Sequence, residues 1–229
     1  MNKKYVNILL IIFWVLTEFI NTQQVITENR TGEINGYSYE LWKDTGITKM
    51  TLLGGAKFKC EWNNINKSLC RIGKKWDCSK TWAQLENIFV TYDVDYRPNG
   101  ISYLGVYGWF KSPLIEYYII ESWGSWRPPV GSDSGLRLKE TINIDDDTYD
   151  IYVNDKMIRP EIDDSSNFKQ IWSVRNEKRT SGTISVSDHF KAWEVKGNKL
   201  GLLDELSFII EGYQSSGTAT VKYLEIKGG

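Results

Sequence analysis

From about residue 36 onward, apolar and polar positions alternate in short runs, the two-residue period of strands with one packed face. The clearest runs are 100–109, 114–122, 148–153, 206–213 and 219–226. Between such runs stand Arg97-Pro98-Asn99-Gly100, Arg127-Pro128-Pro129 and Asp145-Asp146-Asp147, residue types that fix or tolerate turn dihedrals. One stretch departs from the period. In residues 187–197 a hydroxyl at Ser187, an early acid at Asp188, a late Lys196 and a closing Gly197 flank apolar Phe190 and Trp193, which predicts one helix. That helix covers the back of a sheet, and His189 in its first turn is a surface or packing residue. Many strands with aliphatic residues on one face and polar or aromatic residues on the other predict an all-β fold. The expected form is a two-sheet antiparallel β-jelly-roll sandwich with a concave cleft and a single α-helix.

The chain's first residues follow another rule. Lys3 and Lys4 precede an apolar run over 5–16, shorter than the roughly 20 residues a membrane span needs. Residues 1–24 therefore read as a secretory signal, cut somewhere between about residue 17 and residue 28. A membrane anchor is the rival reading, and Glu18 and Asn21 interrupt it. Residues 25–35 form a short N-terminal extension, and 36–229 one domain without linker or repeat.

Composition narrows the chemistry. The 229 residues hold 28 Lys and Arg against 29 Asp and Glu, so no basic field draws in nucleic acid or anionic lipid. Aromatic residues make up 14% of the chain, a bias that suits strands and flat ligands. Cys60, Cys70 and Cys78 allow at most one bridge, and which two pair is open. Their spacing fits no zinc pattern, and His189 is the one histidine, so neither a metal nor a cofactor is expected. A lone histidine without a G-x-S-x-G elbow also argues against an activated serine. Acid and base must come from carboxylates.

Two glutamates fit that requirement. In residues 113–121, alternation places Glu116, Tyr118 and Ile120 on one face and Tyr117, Ile119 and Glu121 on the other. In residues 207–217, Ser207, Ile209, Glu211 and Tyr213 share a face opposite Phe208 and Ile210. An acid among aromatic rings loses water and holds its proton more tightly, while a partner supplied with hydrogen-bond donors stays ionised. Such a pair cleaves a glycosidic bond with retention when the carboxyls lie about 5 to 5.5 Å apart.

At these residues the chain resembles glycoside hydrolase family 11, the small secreted endo-1,4-β-xylanases. Four motifs carry the resemblance, in family order: Tyr107-Gly108-Trp109 leading to Pro113-Leu114-Ile115-Glu116-Tyr117-Tyr118; Ser122-Trp123-Gly124-Ser125-Trp126-Arg127-Pro128; Gln170-Ile171-Trp172-Ser173-Val174-Arg175; and Glu211-Gly212-Tyr213-Gln214-Ser215-Ser216-Gly217. The resemblance spans roughly residues 36–226 and makes 36–229 a catalytic domain. It implies Glu116 as nucleophile and Glu211 as acid/base, with Tyr107 and Tyr118 donating to Glu116. It also implies a substrate surface of Trp42, Tyr107, Tyr118, Gln170 and Tyr213, and a thumb hairpin over 156–164 with Pro160 and Ile162 at its tip. Trp172 is assigned to packing. Lys156 stands where many relatives carry arginine, and Asp163-Asp164 replaces a glycine-containing tip. The segment 63–70, read as a loop, should carry the residue that contacts the acid/base; it holds no acid, which implies a near-neutral pH optimum. The implied protein is a secreted monomer acting on xylan and xylo-oligosaccharides without a cofactor. The alternatives are a non-catalytic carbohydrate-binding protein and a jelly-roll glycanase that cleaves glucan.

Overall fold

The computed structural model describes residues 23–129, 135–157 and 168–228. The signal-like segment up to residue 22 and Pro160, Ile162, Asp163 and Asp164 of the expected thumb lie outside the described residues, as does the Lys156 side chain. In chain order the strands are β1 (Gln24–Ile26), β2 (Arg30–Ile34), β3 (Tyr37–Lys43), β4 (Ile47–Gly54), β5 (Lys57–Lys75), β6 (Phe89–Lys111), β7 (Ile115–Trp123), β8 (Arg137–Ile144), β9 (Asp147–Met157), β10 (Phe168–Arg175), β11 (Ser181–Ser185) and β12 (Leu202–Lys227). The α-helix α1 (Val186–Val195) lies between β11 and β12, and a 3-10 turn covers Trp82–Gln84. Hydrogen bonding runs β1-β4-β5-β12-β6-β7-β10-β9-β8, with β3 and β2 beside β5 and β11 beside β6. Pairing among these strands is antiparallel except between β7 and β10, which run parallel. The sandwich is thus mixed at one seam.

The architecture is a jelly-roll sandwich whose central strands serve both layers. β5 pairs with β4 through its first half and with β3 through its second. Residues 97–100, expected as a turn, instead lie inside β6, and the runs 206–213 and 219–226 join into β12. The reason is visible in the register. β6 and β12 stay paired on both sides of this point, Gly217 opposite Pro98 and Gly212 opposite Ser102. Residues suited to positive φ therefore bend the strands without ending them. Asn64 (φ 48°), Gly100 (φ 104°) and Gln214 (φ 44°) form that corner, and a Cβ on Gly100 would meet the Ser215 Cβ at 2.8 Å. The segment 63–70, expected as a loop, is likewise part of β5. Cys60 and Cys70 sit on either side of the corner, their Cα atoms 6.2 Å apart, and form the disulfide, with Cys78 free. The expected turn at 145–147 does form: Asp145 and Asp146, at φ 52° and 62°, join β8 to β9.

Leu41, Phe58, Ile72, Val106, Tyr117, Ile119, Phe208 and Ile210 fill the space between the layers. α1 closes the far side with Phe190, whose ring lies 4.9 Å from that of Phe110 and 5.1 Å from that of Tyr117. Its N-cap is Ser185, two residues before the serine the sequence suggests. Ser187 has another duty, accepting the Ile88 N–H at 2.8 Å. Gly197 ends the helix at φ 83°, as expected.

His189 packs wholly inside, its ring edge-on to Tyr149 at 4.6 Å. Burial, seconded by the charge of Arg179, pushes its imidazole down to about 3. Above the ordinary histidine value both folded and unfolded chains keep it neutral. Below that value the unfolded chain takes up a proton that the folded chain refuses, so stability falls by about 1.4 kcal/mol per pH unit between pH 6.5 and 3. Urea unfolding at pH 7, 5.5 and 4 should show this slope, and His189→Phe should remove that share of it.

Candidate active site

Strand alternation separates the two acids of β7. Glu121 turns toward the core, fully buried, where it accepts hydrogen bonds from Tyr92 (2.8 Å), Tyr149 (2.7 Å) and the Nε of Arg179 (2.6 Å). Glu116 turns to the concave face and is 1% exposed. There Gln170 Nε2 donates to its Oε2 at 2.6 Å, and the Tyr118 hydroxyl donates to its Oε1 at 3.3 Å. The parallel seam makes this possible, because β7–β10 register sets Gln170 beside Glu116 and Trp172 beside Tyr118. Gln170, expected to hold substrate, thus gives one amide N–H to the carboxylate. Both donors favour the ionised form of Glu116.

Tyr107 lies opposite Tyr118 across β6 and β7, the rings edge to face at 5.0 Å. Its phenol oxygen accepts the indole N–H of Trp109 at 2.5 Å. Burial first, then the charge of Glu116, pushes the Tyr107 phenol well up; Arg71 acts in the opposite direction. Tyr118 is raised as well, by burial, by Glu116 and then by Glu211. One phenol therefore feels both acids. Trp172, expected as packing, stacks on Tyr118 at 3.9 Å and 12°. With Tyr103, Ile120 and Val174 it forms a small apolar cluster under the cleft, separate from the main core.

Glu211 is 4% exposed and sits on β12 opposite Leu69 on one side and Tyr103 on the other. Lys67 Nζ stands 3.5 Å from its Oε1. With Ile101, Tyr103, Trp126 and Tyr213 these two residues line a pocket of about 350 Å³. Tyr213, an expected substrate residue, is 43% exposed there. Trp42 lies beside Leu69, on the opposite face of β3 from fully buried Leu41, and so faces the cleft.

Sequence reading missed Arg71, and it expected a contact to the acid/base from the segment 63–70 without singling out Lys67 there. Arg71 on β5 is held by Glu40 and Glu205, its Nε donating to Glu40 at 2.8 Å. Both cations alternate correctly for the cleft face, but their neighbours depend on the register of β5 against β12, which no local pattern fixes. A buried carboxylate that accepts from a glutamine and a tyrosine, a second acid against a cation, and aromatic walls are groups with which nucleophilic attack and proton transfer on a flat, hydroxyl-rich ligand can be carried out.

Endo-1,4-beta-xylanase A of Thermoclostridium stercorarium is 52% identical over 206 residues, 90% of this chain and 31% of that protein. Endo-1,4-beta-xylanase A of Bacillus pumilus is 49% identical over 90% of this chain and 88% of its own length. This chain thus spans about a third of the Thermoclostridium protein and most of the Bacillus one. The solved family 11 xylanase from Neocallimastix patriciarum superposes with a TM-score of 0.79 at 36% identity, covering 90% of this chain and all of that one. The family model of glycosyl hydrolases family 11 matches residues 34–222, and with this fold beneath it the chain belongs to that family.

Proposed function

We propose that the protein is a retaining endo-1,4-β-xylanase, with Glu116 as nucleophile and Glu211 as acid/base. The observation that carries this reading is the unequal setting of two buried acids on one concave face. Glu116 accepts hydrogen bonds from Gln170 and Tyr118, whereas Glu211 borders an open aromatic pocket. In the first step a Glu116 oxygen attacks the anomeric carbon while Glu211 gives its proton to the departing glycosidic oxygen, leaving a glycosyl ester. In the second, Glu211 takes a proton from water, whose oxygen displaces Glu116 and restores both groups. Two inversions leave the configuration unchanged. Trp42 and Tyr213 offer stacking surface for xylose rings, and Pro160 and Ile162 belong to the thumb in this reading. The charged and apolar segment at residues 3–16 would direct export, placing a cofactor-free monomer outside the cell with its polysaccharide.

The test is release of reducing ends from xylan, compared with carboxymethylcellulose. Xylan alone should be cut at a substantial rate; equal rates would favour a glucan-cleaving enzyme, and binding without cutting a lectin-like protein. The segment 63–70 holds no acid, so the rate should peak near neutral pH, and a peak below about 4 would contradict the assignment.

A further inference from the structure

Behind Tyr107 lies a charged cluster that the reaction as described does not use. Arg71 sits with its guanidinium carbon 5.0 Å from the Tyr107 ring centroid, within the distance at which a cation is held by an aromatic face. It cannot swing away. Glu40 from β3 takes its Nε and Nη2, Glu205 from β12 takes its Nη1, and the Ser207 hydroxyl donates to Glu205 at 2.7 Å. The Arg71 side chain is 14% exposed and that of Glu205 6%, so the fork is desolvated and its geometry set on both sides. Tyr107 in turn touches Tyr118, whose hydroxyl reaches Glu116. Because the indole of Trp109 donates to the Tyr107 oxygen, the phenol's own proton is free to be given toward the cleft.

We propose that Arg71 is a positioning residue for the chemistry at Glu116: clamped by Glu40 and Glu205, its guanidinium fixes the Tyr107 ring and strengthens that phenol as a hydrogen-bond donor beside the carboxylate. The inference rests on the reading of Glu116 as nucleophile. A cation over the ring face draws density from the oxygen and makes its proton more acidic, against the burial and the charges of Glu116 and Glu205 that act the other way. The effect is largest when charge on Glu116 changes, which is during attack and release. Binding of substrate in its ground state gains little from it, so kcat carries the effect and KM does not.

The charges that face this arrangement come from several strands. They are Glu40 on β3, Arg71 and Lys75 on β5, Glu205 and Glu211 on β12, and Glu116 on β7, with Glu33 of β2 at the outer rim. Arg71→Met alone would strand two carboxylates, so the informative variant is Arg71→Met with Glu40→Gln and Glu205→Gln, which removes the cation and both its partners. Net charge in the cluster rises by one, yet the cation nearest Tyr107 is gone. Arg71→Lys keeps the charge without the planar fork.

Each variant is compared with wild type on a defined xylo-oligosaccharide, with folding checked by circular dichroism. The triple variant should lose about three- to thirtyfold in kcat with KM within about twofold. Arg71→Lys should recover part of kcat at unchanged KM. A folded triple variant with wild-type kcat overturns the proposal, as does a loss that falls on KM and leaves kcat in place, or Arg71→Lys behaving identically to the triple variant. Failure of the wild-type protein itself to cut the oligosaccharide overturns the assignment of Glu116, and this inference with it.

Discussion

Glu116→Gln should lower kcat on xylan by at least about 10⁴-fold, because the amide supplies no anion to form the glycosyl ester. Glu211→Ala should behave differently. On xylan it should cost about 10²- to 10⁴-fold, the usual contribution of a positioned acid/base. On an aryl xylobioside with an acidic phenol as leaving group, the first step needs no proton and the ester should accumulate. Azide, which needs no base to attack, should then displace Glu116 and release the β-configured glycosyl azide. The same treatment should do nothing for Glu116→Gln with its nucleophile missing. Mass spectrometry of the intact protein detects the ester, and NMR identifies the azide product. Rescue of Glu116→Gln in place of Glu211→Ala would exchange the two roles.

Glu121→Ala should instead destabilise the fold, by about 3–5 kcal/mol, the cost of removing one partner from a buried ion pair. Glu121 has no exposed surface and accepts from Tyr92, Tyr149 and Arg179. Removing it leaves two phenols and a guanidinium facing an empty space under β7, close to the unprotonated His189. Urea unfolding at pH 7 should show the loss, while Glu116→Gln should stay within about 1 kcal/mol of wild type, because glutamine fills the same volume and can still accept from Gln170. Five residues apart on one strand, the two acids would thus separate chemistry from stability. Equal destabilisation by both substitutions would remove that distinction.

That contrast also indicates what a sequence can reveal. Alternation along 113–121 sorts Glu116 from Glu121 before any coordinates, since the two faces of a strand are set by covalent geometry. The helix around Phe190 and Trp193 is equally legible, as its periodicity and its closing glycine are local. The corner at Asn64, Gly100 and Gln214 is not, because the same residues end a strand or bend it, and the outcome depends on whether the neighbour stays paired. The parallel seam between β7 and β10 is invisible for the same reason, and with it the bond from Gln170 to Glu116. Lys67 and Arg71 acquire meaning only from the register of β5 against β3 and β12, which places one beside Glu211 and the other behind Tyr107. The Cys60–Cys70 bridge follows from the bend, not from the spacing.

The central claim is that Glu116 and Glu211 act on one sugar linkage in two displacements. Proton NMR of xylohexaose during its first minutes of hydrolysis tests it most directly, because the two anomers give separate signals before they interconvert. The account predicts the β-anomer of the shorter products first, with the α-anomer growing only at the rate of spontaneous mutarotation. Appearance of the α-anomer first would mean a single displacement by water, and Glu116 would not be the nucleophile.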